Sequence, residues 1–467
     1  MNDTGMQIHS TLSRRKERLE TGPDGTVRIY ACGPTVYSRV HIGNARPFVV
    51  FSVLKRYLER RGVRARFVAN ITDVNDKIYV AARAAGVPST EWAEQNARAY
   101  VDDTSRLGLG RPDAEPKVTD TMPQIIALIG DLIDKGLAYA AGGDVYYRVG
   151  SFPGYGRLSG RRLDEMVSTE PGEAKEHPLD FALWKGRKPD EDAWWDSPWG
   201  PGRPGWHIEC SAMAEVELGA PFEIHGGGLD LVFPHHENEI AQTEGARGVP
   251  LARIWMHNEM LELGETKMSK SEGNIALLAD VLDRWPREVV LAFFLTSHYR
   301  SRLPFTDERL RDAEAVCERI RNGLRALDRG LAAPGEGTDA DLARALVSPR
   351  TAFHEALDDD FGTPGAFAAV FELVRAANHA VERDARPGAG QLQEVRRELV
   401  GMLDVFGLAS LGEASAAVPA EVLDLLQQRE DARAARDRAR ADELRGRVRE
   451  LGFELRDTPE GPQVYRA

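Results

Sequence analysis

Directly after an apolar, strand-like run at 27–32 stand Cys32, Gly33, Pro34, Thr35, Val36 and Tyr37. His41, Ile42, Gly43 and Asn44 follow, just ahead of a stretch with helical apolar spacing at 47–60, and a second strand-like run occupies 64–71. Strand, helix and strand in that order predict a βαβ unit and a parallel sheet. In such a sheet the ligand crevice lies beyond the carboxyl ends of the strands, where the chain turns into the next helix. Gly43 lets a nucleotide approach the backbone closely, the following helix offers its first amides to phosphate, and His41 can donate to a phosphate oxygen. Taken alone, a histidine in a glycine-bearing turn is more often a satisfied structural group.

The rest of the chain limits what this unit belongs to. At about 150 residues per domain, 467 residues make roughly three domains. Helical spacing over 92–136 gives way at 138–204 to text rich in Gly, Pro and Arg with Trp184, Trp194, Trp195 and Trp199, and strand-like runs return at 221–224 and 254–263. The sheet is therefore expected in two halves, parted by an insertion poor in regular structure whose tryptophans serve packing. Beyond 286, helical spacing recurs at 288–296, 307–330, 339–346, 365–383 and 390–406, which predicts a helix bundle. Pro/Gly-rich connections fall at 332–337 and 409–419. A last unit reads as one helix at 427–451 closed by Gly452, then a hairpin over 453–466 turning at 459–462.

A net charge of -13 argues against a general polyanion binder but leaves room for a local basic surface. Residues 427–456 carry nine arginines against seven acids, either an RNA-contacting surface or a solvated helix face. No uncharged stretch approaches the ~18–20 apolar residues of a membrane helix, and residues 1–13 carry no secretory pattern, so a cytoplasmic protein with no membrane partner is expected. The three cysteines, Cys32, Cys210 and Cys317, are too few and too widely spaced for a disulfide framework. Cys317, on a helical stretch, reads as a small core residue.

Two further constellations carry chemistry. Lys267, Met268, Ser269, Lys270 and Ser271 place two lysines on a Ser/Gly-rich loop, able to swing onto a triphosphate and cancel charge as pyrophosphate leaves. The bland alternative is a solvated basic loop. In the other, Gly205, Trp206, His207, Ile208, Glu209 and Cys210 are joined by Pro234, His235, His236, Glu237, Asn238 and Glu239. On a helix His235 and Glu239 would share a face and converge on one ion. The thiolates of Cys32 and Cys210 complete a zinc site of two sulfurs, one imidazole and one carboxylate. Spacing alone leaves His236 open as the imidazole ligand.

The early His41 to Asn44 segment and the late lysine loop are together similar to the two signatures of class I aminoacyl-tRNA synthetases. With residues 32–47, 70–78, 180–185, 205–213, 225–244, 267–274, 298–305 and 357–364, the sequence resembles the cysteinyl-tRNA synthetases, densely over 25–305 and more thinly beyond. The resemblance implies an α/β protein: a Rossmann-type parallel-sheet catalytic domain split by an insertion, followed by an α-helical bundle and a small mixed C-terminal domain. Its expected parts are the first catalytic half at 1–130, a connective insertion at 131–204 and the second half at 205–255. A stem-contact segment with the lysine loop follows at 256–310, then an anticodon-binding bundle at 311–408 and the terminal domain at 413–467.

The implied activity is ATP-dependent ligation of L-cysteine to its cognate tRNA through cysteinyl-adenylate, by a monomer. The resemblance further implies one Zn2+ per chain on Cys32, Cys210, His235 and Glu239, with Mg2+ accompanying ATP. His41, Asn44, Lys267 and Lys270 would be catalytic, with His41, Asn44 and Lys270 on ATP. Trp206 would lie beneath the substrate side chain, Asp230 would pair with its ammonium group, and Thr35 and His225 would line the same pocket. Asn44 stands where the class signature often has a second histidine; it still donates a hydrogen bond but carries no charge. The rival readings are a cysteine:glucosaminyl-inositol ligase, a non-catalytic synthetase-like RNA-binding protein and a zinc hydrolase. The C-terminal third weighs against the first, His41 with the two lysines against the second, and two thiolates beside a nucleotide signature against the third.

Overall fold

Four parallel strands make the central sheet, in the order Ala252–Asn258, Phe222–Gly228, Thr26–Ala31 and Arg64–Ala69. In the computed structural model the described residues are 2–167, 174–263, 276–383, 386–413, 420–435, 437–451, 453–458 and 461–466. The lysine loop with Lys267 and Lys270, Gly452 and residues 459–460 of the terminal turn lie outside them. Val27, Ile29, Phe67, Val68, Phe222, Ile224, Trp255 and Met256 are buried on these strands. A parallel sheet covered on both faces needs such near-continuous apolar runs. Thr26–Ala31, from early in the chain, pairs with Phe222–Gly228, from after the insertion, so the sheet is completed from both halves and the protein has the expected α/β fold.

Helix Ile42–Arg60 crosses from the strand Thr26–Ala31 to Arg64–Ala69 and buries Phe48, Phe51, Leu54 and Leu58. It lies against bare backbone: a Cβ added to Gly226 would sit 2.0 Å from the Phe51 ring. The helix begins earlier than its apolar spacing predicts because His41 caps it, Nδ1 accepting from the Gly43 N–H at 3.1 Å. Pro47 falls inside the helix, and its missing N–H deprives the Gly43 carbonyl of its helical donor.

Where an irregular insertion was expected, a four-stranded antiparallel sheet forms from Ala138–Ala141, Asp144–Tyr147, Phe181–Gly186 and Gly202–Pro204. These strands are short, the last only 3 residues, so alternation never runs long enough to stand out between Gly and Pro turns. Trp184 is buried in this sheet with Trp199 edge-on at 6.0 Å, whereas Trp194 remains 40% exposed. Buried Arg203 fastens the sheet to helix Asp76–Ala85, meeting Asp76 and, at 3.1 Å, Glu191, while Lys185 lies 3.1 Å from the same Asp76.

The expected bundle consists of Asp307–Ala332, Ala340–Asp358, Thr363–Glu382 and Ala389–Val405, with Ile320, Leu327, Phe353, Leu373 and Leu399 buried. The second helix runs well past residue 346; Pro349 inside it reads as a stop in the sequence. Cys317 is a core residue, its Sγ 3.4 Å from the Glu288 carbonyl. By contact the chain divides into two compact units, Met1–Ala409 and Ser410–Ala467. The second holds helices Ala420–Ala434 and Arg438–Glu450 and an antiparallel pair, Phe453–Thr458 with Gly461–Arg466. The single helix expected at 427–451 is thus two. Asp437 starts the second by accepting from the Arg440 N–H at 3.0 Å, a break hidden among charged residues that all favour helix or cap. Val422, Leu425, Leu444, Val448 and Phe453 form this unit's own core. No helix among the described residues is long and apolar enough to cross a membrane.

Candidate active site and metal centre

The crevice opens where the strands end. The loop after Thr26–Ala31 folds back so closely that a Cβ on Gly33 would lie 1.7 Å from the Asn70 carbonyl oxygen. The Gly33 N–H donates to Asn70 Oδ1 at 2.9 Å, fixing the two strand ends together. Beyond them lies a cavity of about 290 Å³ that brings together Cys32, Thr35, His41, Asn44, Trp206 and Asp230. Asn258, Glu259 and Met260 complete a wall at the end of the Ala252–Asn258 strand, and the sequence reading passed over them. The signal was positional: ligands gather beyond strand ends, and these residues end a strand.

The protonation of His41 follows from its cap. Burial lowers its pKa, only partly offset by Asp230, and Nδ1 is occupied by the Gly43 amide proton. The neutral ring therefore carries its proton on Nε2, a donor for an anion in the crevice.

Beneath the crevice, one ligand atom from each of Cys32, Cys210, His235 and Glu239 lies within 4.8 Å of the others. Cys32 follows the Thr26–Ala31 strand, Cys210 sits on helix Trp206–Leu218, and His235 and Glu239 flank the start of helix Glu237–Arg247. His235 Nε2 is 3.0 Å from Glu239 Oε1. A second grouping within the same distance replaces Cys210 and His235 by His225 and His236. Only the first contains both thiols, and two sulfurs, an imidazole and a carboxylate are a donor set that suits zinc. His236 Nε2 lies 3.9 Å from Glu239 Oε1 and has no hydrogen-bond partner among the described residues.

Without an ion the cluster balances its own charges, with His235 raised to about 10 by Glu239 and Cys210 against burial. Burial alone would raise Glu239, but His225 and His235 on either side hold its carboxyl well below the usual range. Burial pushes the Cys32 thiol well up, while the Cys210 thiol is drawn down to about 6, first by its hydrogen bond with Cys32 and then by the His235 charge, against burial. The pair thus already favours one thiolate.

Neighbouring histidines orient the set. His207 Nδ1 is 2.9 Å from His235 Nδ1, which leaves His235 Nε2 facing Glu239. His225 is fully buried behind the cluster, Nε2 2.6 Å from Glu239 Oε2 and its ring stacked 4.4 Å from Trp255. The structure therefore places it against the Glu239 carboxylate. His236 Nδ1 continues to His257 Nε2 at 2.7 Å, and His257 Nδ1 to Thr11 Oγ1 at 2.7 Å. Burial, with the neighbouring His225, pulls His257 down to about 3, so this chain is neutral.

Solved structures share the architecture. The Mycobacterium tuberculosis methionyl-tRNA synthetase in complex with methionyl-adenylate superposes with a TM-score of 0.61 at 17% identity, over 86% of this chain and 94% of that one. The Agrobacterium radiobacter LeuRS in its ternary complex with tRNA and LeuAMS gives 0.62 at 12% identity, over 85% and 87%. Residues 19–315 match the family of tRNA synthetases class I (C) catalytic domains. Fold and crevice are thus those of a class I aminoacyl-tRNA synthetase. Residues 352–410 match the DALR domain, and residues 415–466 the cysteinyl-tRNA ligase anticodon binding domain. The cysteine–tRNA ligase of Pelotomaculum thermopropionicum is 44% identical over 98% of this chain and 99% of its own length. That of Symbiobacterium thermophilum is 45% identical over 99% and 100%. The chain belongs to the cysteine–tRNA ligase family.

Proposed function

We propose that the protein joins L-cysteine to its cognate tRNA in two steps, forming cysteinyl-adenylate from ATP and then transferring the cysteinyl group. The observation that carries this reading is the double position of Cys32, which lines a crevice at the ends of a parallel sheet and belongs to a buried Cys/Cys/His/Glu set. Cys32, Cys210, His235 and Glu239 would hold one zinc ion. When bound, zinc favours a thiolate over a hydroxyl, because a free thiol of pKa ~8.5 ionises far more readily beside a cation than an alcohol does. An apolar pocket separates such near-isosteres by only about 1–3 kcal/mol.

This chain's residues arrange the rest. Trp206 stacks on His235 at 4.2 Å and floors the crevice under the substrate side chain. Asp230 receives the ammonium group, Thr35 lines the pocket, and His225 holds Glu239 in place from behind. The cysteine carboxylate attacks the α-phosphate of ATP and pyrophosphate leaves. His41 through Nε2–H, Asn44 through its amide, and Lys267 and Lys270 from their loop offset the developing charge. Mg2+ travels with ATP and neutralises part of its phosphate charge. In the second step the 2′-OH of the terminal tRNA adenosine attacks the carbonyl carbon and AMP departs.

Residues 256–310 would contact the acceptor stem, and 311–408 with 413–467 would reach the anticodon, where unstacked bases are read by stacking and hydrogen bonds. The active form is proposed to be a monomer. The test is cysteine-dependent ATP–pyrophosphate exchange, followed in the same preparation by transfer of labelled cysteine to total tRNA and to glucosaminyl-inositol. Exchange with transfer to tRNA is expected; transfer to the small amine alone would overturn the reading.

A further inference from the structure

One lysine of the crevice is left over by this mechanism. Lys77 lies in the 70–78 segment, is exposed, and lines the cavity beside Tyr37. Among the described lysines, Lys16, Lys55, Lys117, Lys185 and Lys188 each lie within 4.0 Å of a carboxylate. Lys77 has no carboxylate partner among the described residues. The acids nearest in sequence are already engaged: Asp73 accepts from the Thr119 N–H at 3.2 Å and its hydroxyl at 2.6 Å, and Asp76 meets Arg203, Lys185 and Lys188. Arg39, on the loop before helix Ile42–Arg60 and also lining the cavity, is tied to Asp103 at 2.6 Å.

What holds Lys77 is a ring, not a charge. Its Nζ sits 5.3 Å from the centre of the Tyr37 ring. An exposed cation–π contact of about 0.5–1 kcal/mol orients an ammonium group without neutralising it, and its N–H donors stay available. The backbone beneath is well fixed. Asn75 caps helix Asp76–Ala85, its Oδ1 accepting from the Lys77 N–H at 3.1 Å, and Asp76 is clamped to the insertion by three cations. Asp76 thus ties the helix to the insertion while its neighbour Lys77 reaches the crevice.

We propose that Lys77 is a substrate-positioning residue that anchors a phosphate group at the crevice mouth, the phosphodiester at the 3′ end of the tRNA being the source that fits best. The inference rests on the function proposed above. A second substrate of the crevice, ATP, also carries phosphate, but His41, Asn44 and the lysine loop already serve it. Lys77 belongs instead to an exposed wall braced by the insertion, where a long polyanion would enter.

The test uses the full chain, zinc-loaded, as wild type and as Lys77→Ala, Lys77→Met and Lys77→Arg. Both exchange and tRNA charging are measured over a range of salt. In Lys77→Ala and Lys77→Met the KM for tRNA should rise roughly tenfold, as loss of one charge-assisted hydrogen bond implies. The salt dependence of charging should become shallower, and Lys77→Arg should recover most of the loss. A defect seen in exchange, with a raised KM for ATP, assigns the anchored phosphate to ATP. Unchanged KM values for both substrates, or an equal fall in kcat that arginine does not rescue, would overturn the proposal. Inactive wild-type protein would instead count against the function itself.

Discussion

Cys32 faces two ways: it is 9% exposed, on the wall of the crevice, yet its thiol sits 3.4 Å from Glu239 Oε1 in the buried cluster. Cys210, at 1% exposure, has only the second role. Cys210→Ser is therefore the cleaner probe of the proposed metal site, since it changes a proposed ligand without touching the crevice wall. Stoichiometric zinc should be lost, as read by elemental analysis, with cysteine-dependent exchange falling sharply. Retained zinc would remove Cys210 from the ligand set. His41 gives the pH dependence at this scale. Burial lowers its pKa, so the neutral, capping form is favoured in the folded protein. Its contribution is complete above the ordinary histidine value of about 6.5 and is lost as pH falls through the lowered value. The ring should titrate below 6.5 by NMR, with His41→Asn assigning the resonance; a midpoint above about 6.5 would contradict the cap geometry.

Among elements, the ion-paired joint between the insertion and helix Asp76–Ala85 is the most exposed to a single change. Arg203 and Glu191 are 2% and 3% exposed at the side chain, and the Arg203–Glu191 pair is buried. Removing one partner of a buried pair strands the other, at a cost of about 3–5 kcal/mol. Arg203→Met should lower stability by that order in denaturant melts followed by tryptophan fluorescence, and Arg203→Met with Glu191→Leu should recover part of it. A loss below about 1 kcal/mol would mean that water already solvates the joint. How legible each element was in the sequence follows from the same physics. The parallel strands were legible because burial on both faces demands unbroken apolar runs, and the bundle helices because one apolar stripe recurs. The insertion strands were not, being short and held by the Arg203 cluster, whose partners are far apart in sequence. The hairpin of Asp3–Ser10 and Arg15–Glu20 also escaped: its inward positions include Thr4 and Ser10, so polar residues blur the alternation. The metal candidates were readable from residue type and spacing. The flanking His207 and His257 were not, because each acquires meaning only from a contact across the fold.

At the scale of the whole molecule, the crevice, the candidate metal cluster and Lys77 all lie within Met1–Ala409, whereas Ser410–Ala467 has a separate core. The two proposed steps therefore make different demands on the chain. Adenylate formation needs only cysteine, ATP and the catalytic unit. Charging also needs a tRNA held with its 3′ end in the crevice, and the segment matching the anticodon binding domain, 415–466, lies in the second unit. Truncation after Ala409 should leave cysteine-dependent pyrophosphate exchange near wild type while raising the KM for tRNA, by roughly tenfold or more if even one or two charge-assisted contacts are lost. Folding is controlled by comparing the thermal melt and zinc content of the truncated and full chains. If exchange and charging fell together with the melt, the second unit would be a stabilising part of the first; if neither fell, the anticodon end would contribute nothing to tRNA affinity. Exchange intact with charging impaired would instead show that cysteine selection and tRNA selection are carried by separable parts of one chain.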